Sequence, residues 1–186
     1  MKTKRTLWFL GIILAVLLLG VSQDWAQSKP EKRGPIITHA FAVEKGKYGF
    51  IWKIYLEGED PDGQMLRIAS VVDEPGAGRY PTDWVYLNPQ YRNQFKGYLQ
   101  WNTFSSHVAY MPEWTQITLR VSVLDKAGNE SNEVVFPFTF ELTPAQYQYE
   151  VPPPFDQGDL AKLGNITIDL YPPGRPGGNN RANERE

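Results

Sequence analysis

Three stretches of this chain place large apolar side chains at every second position, a period that fits a strand with one buried face and not a helix. Tyr48, Phe50, Trp52, Ile54 and Leu56 alternate with Gly49, Lys53, Tyr55 and Glu57. Ile117, Leu119, Val121 and Val123 alternate with Thr118, Arg120 and Ser122, and Val134, Phe136, Phe138, Phe140 and Leu142 repeat the pattern. Weaker strand signals lie at Ile36 to Val43, Met65 to Val72, Trp84 to Leu87 and Gly97 to Thr103. Turn chemistry such as Asp60-Pro61-Asp62-Gly63 and Lys126-Ala127-Gly128-Asn129 separates them. Ten Tyr and six Trp point the same way, since flat rings suit a pleated surface. The sum is an all-β domain of about seven strands over residues 35–142, at the strand density of an antiparallel sandwich.

Exceptions to this pattern are local. Asn88-Pro89 predicts one short helical segment over 89–95, with Asn88 as its cap and proline at the first helical position. Pro137 cannot donate a ladder hydrogen bond, so the last strand should lie at an edge or a bulge with the proline nitrogen facing outward. Beyond Leu142 the composition turns to proline and glycine, which predicts an extended linker over 143–162. Within 163–173, Ile166, Ile168 and Leu170 alternate with Asn165, Thr167 and Asp169 as a short strand, and the polar remainder, 174–186, is expected to be disordered. A tethered strand beside an edge strand can pair with that edge or with a partner's sheet, which makes Ile166, Ile168 and Leu170 candidate partner-binding residues.

Residues 1–26 have the order of a secretory leader: Lys2, Lys4 and Arg5, then an apolar run from Leu7 to Leu19, then Gly20. At 1.5 Å per residue the helix from Leu7 to Val21 would span about 22 Å, short of the roughly 30 Å of a bilayer core. Cleavage after Ser22 or Ala26 is therefore the expectation, with an uncleaved anchor as the alternative and residues 27–34 as a linker. Membrane contact would come only through that segment, if it is retained. Setting the leader aside removes three of the 19 basic and one of the 21 acidic side chains, so the rest is acidic overall. That balance argues against nucleic acid as a partner. The chain has no cysteine, which excludes disulfides, thiol catalysis and thiolate metal sites. It fits a periplasmic or extracellular domain large enough to hold without disulfides.

The segment Ile54-Tyr55-Leu56-Glu57-Gly58-Glu59-Asp60-Pro61-Asp62-Gly63, together with Val121-Ser122-Val123-Leu124-Asp125-Lys126-Ala127-Gly128-Asn129-Glu130-Ser131-Asn132, resembles bacterial exported immunoglobulin-like domains of the Big and cadherin-like kind. The resemblance covers Pro35 to Leu142. It implies an immunoglobulin-like sandwich and a role in adhesion, scaffolding, spacing or ligand display. It supplies no catalytic residue.

Three sets of residues are candidates for function. If the three strong strands are B, F and G of such a sandwich, Glu59, Asp60 and Asp62 share a pole with Asp125, Asn129 and Glu130. Clustered carboxylate and amide oxygens suit Ca²⁺ as a cofactor, although the same residues also make ordinary turns. Trp84 and Trp101 lead an aromatic set that includes Tyr80, Tyr86, Tyr91, Tyr98, Tyr110 and Trp114. Exposed rings of this set would anchor an envelope protein or stack on a glycan, whereas buried ones would only fill the core. The two histidines, His39 and His107, lie in no metalloprotease or nucleophile motif, so the chain reads as non-enzymatic.

Overall fold

The computed structural model describes residues 34–142 and 149–172. The leader, the 27–34 linker apart from Gly34, and the 174–186 tail lie outside the described residues. Two sheets face each other. The first contains β1 (Ile36–Ala42), β3 (Ile51–Glu59), β7 (Gln94–Asn102) and β10 (Ala161–Ile166), in that spatial order. The second runs β2 (Lys45–Gly46), β9 (Val134–Phe140), β8 (Gln116–Asp125), β4 (Met65–Glu74) and β5 (Gly78–Arg79), with β6 (Asp83–Tyr86) also paired to β4. This is an immunoglobulin-like sandwich: β1, β3 and β7 take the A, B and E positions opposite β4, β8 and β9 at C, F and G. Each of the seven strands expected from the sequence is present within a few residues of its predicted limits.

Alternation sets the core. Trp52, Ile54 and Leu56 of β3 meet Ile117, Leu119, Val121 and Val123 of β8 and Phe136, Phe138 and Phe140 of β9 in one buried cluster. The rings of Trp52 and Phe138 lie 4.5 Å apart. Pro137 faces Thr118 across the β8–β9 ladder and is exposed. The last strand is not itself the edge, because the two-residue β2 pairs with it at Thr139 and Phe140. Thr139 N donates to Glu44 O, so by the two-residue period the Pro137 nitrogen points to the same side, beyond the short β2. The 89–95 helix shrinks to one 3₁₀ turn at Pro89–Tyr91, and Asn88 makes no side-chain cap. Seven residues between β6 and β7 leave no length for more.

The tail departs most from expectation. Residues 149–162 are not a free linker: Phe155 is buried against Tyr55, and Tyr149 packs on Phe41. The strand starts at Ala161, before the predicted alternation, and it pairs in parallel with β7 instead of with the last strand. The reason lies in those seven residues. They provide no D strand beside β7, so the edge of the first sheet is open until β10 covers it. The alternation did identify the inward side chains, because Ile166, Ile168 and Leu170 are all buried, together with Leu163.

Further bonds fasten the segment after β10. Trp101 Nε1 donates to Ile168 O at 3.0 Å, Ser105 Oγ to Leu170 O at 2.7 Å, and Tyr171 N to the Tyr80 hydroxyl at 3.0 Å. That hydroxyl in turn donates to Glu74 Oε2. Glu74 is buried and its Oε1 has no partner among the described residues. Burial raises the Glu74 carboxyl above its ordinary value, and the Tyr80 hydrogen bond offsets only part of that.

Two outcomes follow from this arrangement. Ending the chain after Leu160 strips four buried apolar side chains from the core, each contributing about 1.5–3 kcal/mol. The melting temperature, read by circular dichroism, should fall by at least about 10 °C or the cooperative transition should disappear. For Glu74, a raised carboxyl means the folded chain holds the proton more tightly than the unfolded chain. Its contribution to stability is full below the unfolded value, near 4.3, and is lost as pH rises through the folded value. Glu74→Gln should therefore flatten the decline in melting temperature expected of the parent chain as pH rises above that unfolded value.

Candidate binding surface

The pole predicted for Ca²⁺ does form. Lys126 N donates to Gln64 O at 3.0 Å, so the β3–β4 and β8–β9 loops sit side by side. Their carboxylates, however, turn inward onto their own loops. Asp60, almost fully buried, accepts from Asp62 N through Oδ1 and from Gln64 N through Oδ2, each at 2.9 Å. Asp125 accepts from Asn129 N at 2.8 Å and from Asn129 Nδ2 at 2.7 Å. Glu59, Asp62 and Asn129 are exposed at the rim, and Glu130 accepts from the Ser122 hydroxyl. Among the described residues no group of three or more His, Asp or Glu side chains is placed to hold a metal ion. Burial alone would raise Asp125, yet the Asn129 side chain and the backbone N–H groups of Asn129, Ala127 and Gly128 together hold it below the ordinary carboxylate value.

The aromatic set divides. Trp101 and Tyr80 are buried, so they form core and not a surface for a partner. Ile166, Ile168 and Leu170 are likewise buried, in a groove of the chain's own body. Trp84, at 39% exposure, and Tyr86, at 64%, point outward from β6. Val85 between them points into the core, as strand alternation requires. Arg67 of β4 stands across from Tyr86, and its guanidinium lies 3.8 Å from the Trp84 ring centroid, a cation–π contact. Arg67 Nε has no hydrogen-bond partner among the described residues, which fits a guanidinium laid against a ring.

The outer face of the second sheet continues from these residues across β4 and β8. Arg79 bonds Asp73 through Nε and Nη2, Arg120 bonds the same carboxylate through Nε at 2.8 Å, and Arg120 Nη1 reaches Glu133 at 2.7 Å. The Arg79 hydrogen bond is the main cause that holds the Asp73 carboxyl low; Arg120 adds to it and partial burial opposes both. Exposed pairs of this kind contribute little stability, but a linked chain of four orders the face. The result is a rigid strand platform with an Arg–Trp–Tyr cluster on one side and an ordered row of charges on the other.

A second group of rings lies on the β7–β8 loop. Tyr48 anchors that loop: its hydroxyl accepts from Ser105 N and donates to Val108 O at 2.6 Å, and its ring packs on Phe104. Phe104, Tyr110 and Trp114 are all more than half exposed. Trp114 has φ +68°, the left-handed region that costs a bulky side chain energy, and its N–H donates to Phe140 O at 2.7 Å. Tyr110 and Trp114 belong to the aromatic set legible in the sequence, whereas nothing in residue type signals the backbone conformation of Trp114 or singles out Phe104. The two histidines are used separately: His39 Nδ1 pairs with Glu57 at 2.8 Å, while His107 stacks on Tyr171.

The fold and its outward rings define the class as an immunoglobulin-like β-sandwich with an aromatic sheet face. No family model matches the chain, and no curated protein matches it. Among solved structures it is similar to the PKD domain of an M14-like peptidase from a Thermoplasmatales archaeon, with 17% identity and a TM-score of 0.41. The match covers 59% of this chain and 98% of that domain. At that distance no residue and no activity carries across.

The Asp125 turn gives a direct check. A lowered carboxyl contributes stability that is present above its unfolded value and is lost as pH falls through the folded value. Asp125→Ala should cost about 1–3 kcal/mol at neutral pH, and in urea unfolding curves the gap to the parent chain should narrow as pH falls below the unfolded carboxylate value.

Proposed function

We propose that the chain is an exported, non-enzymatic immunoglobulin-like module that binds a protein partner in the bacterial cell envelope, using the outer face of the second sheet. The observation that carries this reading is the cluster of Arg67, Trp84 and Tyr86 on that face. Trp, Tyr and Arg are the side chains that dominate protein interfaces when truncated, and strands hold them with little entropy left to lose on binding. The charged row from Arg79 to Glu133 supplies a polar rim for orientation. Export is supported by the leader-like order of charges and apolar residues.

A second reading, carbohydrate binding, is favoured by one observation of its own. Trp114 is held at a strained φ while its ring is 63% exposed, an arrangement suited to presenting a flat face to a sugar. The two readings separate by substitution. With a photo-reactive residue placed at Val71, envelope extract should yield one defined cross-linked protein. Trp84→Ala should weaken its binding about tenfold or more, equivalent to about 1.4 kcal/mol, at unchanged melting temperature. If instead the chain binds soluble glycans and only Trp114→Ala abolishes that, the protein-partner reading fails and the carbohydrate reading replaces it.

A further inference from the structure

The groove that β10 fills is built for one particular segment. On the body side, a Cβ on Gly97 would lie 2.3 Å from Ala161 O, and on the tail side a Cβ on Gly164 would lie 2.2 Å from Val85 Cγ1. Neither glycine can become alanine without moving its neighbour, so the two surfaces match closely. The polar contacts are equally specific. Asp83 receives both the N–H and the hydroxyl of Thr167, Trp101 reaches Ile168 O, and Ser105 reaches Leu170 O. Among the described residues, the strand that precedes the tail in sequence, β9, contributes none of these bonds. What the groove recognises is therefore the segment itself, whichever chain carries it.

Connectivity points the same way. β9 ends beside the Trp114 loop, whereas β10 begins beside Gly97, toward the opposite end of β7. The connection of 20 residues from Glu141 to Leu160 has to return along the length of the sandwich before β10 can run parallel to β7. Loop-closure entropy changes slowly with length, so this tether holds its own tail at an effective concentration on the order of millimolar, and a neighbour's tail competes as the protein concentration approaches that range.

We infer that the tail is an exchangeable donor strand: the β6–β7 groove accepts residues 161–171 of a second copy of this chain, giving a strand-exchanged dimer. Closed and exchanged forms hold the same groove contacts and differ in which chain supplies them. The partner is chemically defined, an extended segment with Leu163, Ile166, Ile168 and Leu170 on its inward face and glycine at position 164.

The absence of cysteine makes a clean test available. Gln100 and Asn165 are register partners across the parallel pair, and both side chains reach solvent. The full-length double variant Gln100→Cys/Asn165→Cys, oxidised at low concentration, should close within one chain, which establishes that the pair can be bridged. The two single variants are then mixed at high concentration and oxidised. Exchange predicts a mixed disulfide dimer in about fivefold excess over either like-with-like dimer, growing with concentration on non-reducing gels. If the double variant closes internally at every concentration and the mixed singles give only like-with-like background, the proposal is overturned. Should either position disturb folding, Tyr98→Cys with Lys162→Cys, the neighbouring register pair, repeats the measurement.

Discussion

Enclosing Trp101 is the constraint from which much of the fold follows. The indole sits on β7, the strand left at the edge of its sheet by the missing D strand, and its N–H needs a partner once it is out of water. Residues 161–171 supply the missing wall and the missing acceptor together. From this one requirement come the parallel pairing, the close approaches at Gly97 and Gly164, and the run of Tyr149 and Phe155 along the outside of the first sheet. The chain of hydrogen bonds from Tyr171 through Tyr80 to Glu74 follows as well. A buried carboxylate is an expensive neighbour, and here it is tolerated at the place where the tail is tied down.

The interior and the exterior treat aromatic residues differently. Trp52 and Trp101 are almost wholly enclosed, while Trp84 and Trp114 are left in water. The exposed pair contributes little to holding the sandwich together, so the reason for their placement lies outside the core. Trp84 is presented by a strand and braced by Arg67; Trp114 is presented by a loop at the expense of backbone strain. A strand presents a fixed geometry suited to a protein surface, and a raised loop ring suits a smaller ligand.

How much of this could be read from the residues depends on whether the signal was local. Trp52, Ile54 and Leu56, or Phe136, Phe138 and Phe140, announce their strands because a half-buried sheet imposes a period of two on neighbouring positions. The pairing of the acidic loops at one pole followed from strand order alone. Whether Asp60 and Asp125 faced outward did not, because that depends on backbone N–H groups within each turn competing for the carboxylates. Trp101 could have been assigned to the core, since Phe95, Gly97, Leu99 and Trp101 also alternate. The partner of the tail strand was harder: it is specified by an absence, the short span between Tyr86 and Gln94, and by a strand about 60 residues away. The left-handed φ of Trp114 has no signature in residue type at all.

That last wall arrives late. The chain is made from its N-terminus, and the residues that seal the core lie at 161–171, after the rest of both sheets has been synthesised. Until then β7 has an open edge and Trp101 an exposed face, so the final gain in stability waits for residues 161–171. Pairing over such sequence separations is also slow to form. A domain built in this order keeps one side of its sandwich open until residues 161–171 have emerged and docked.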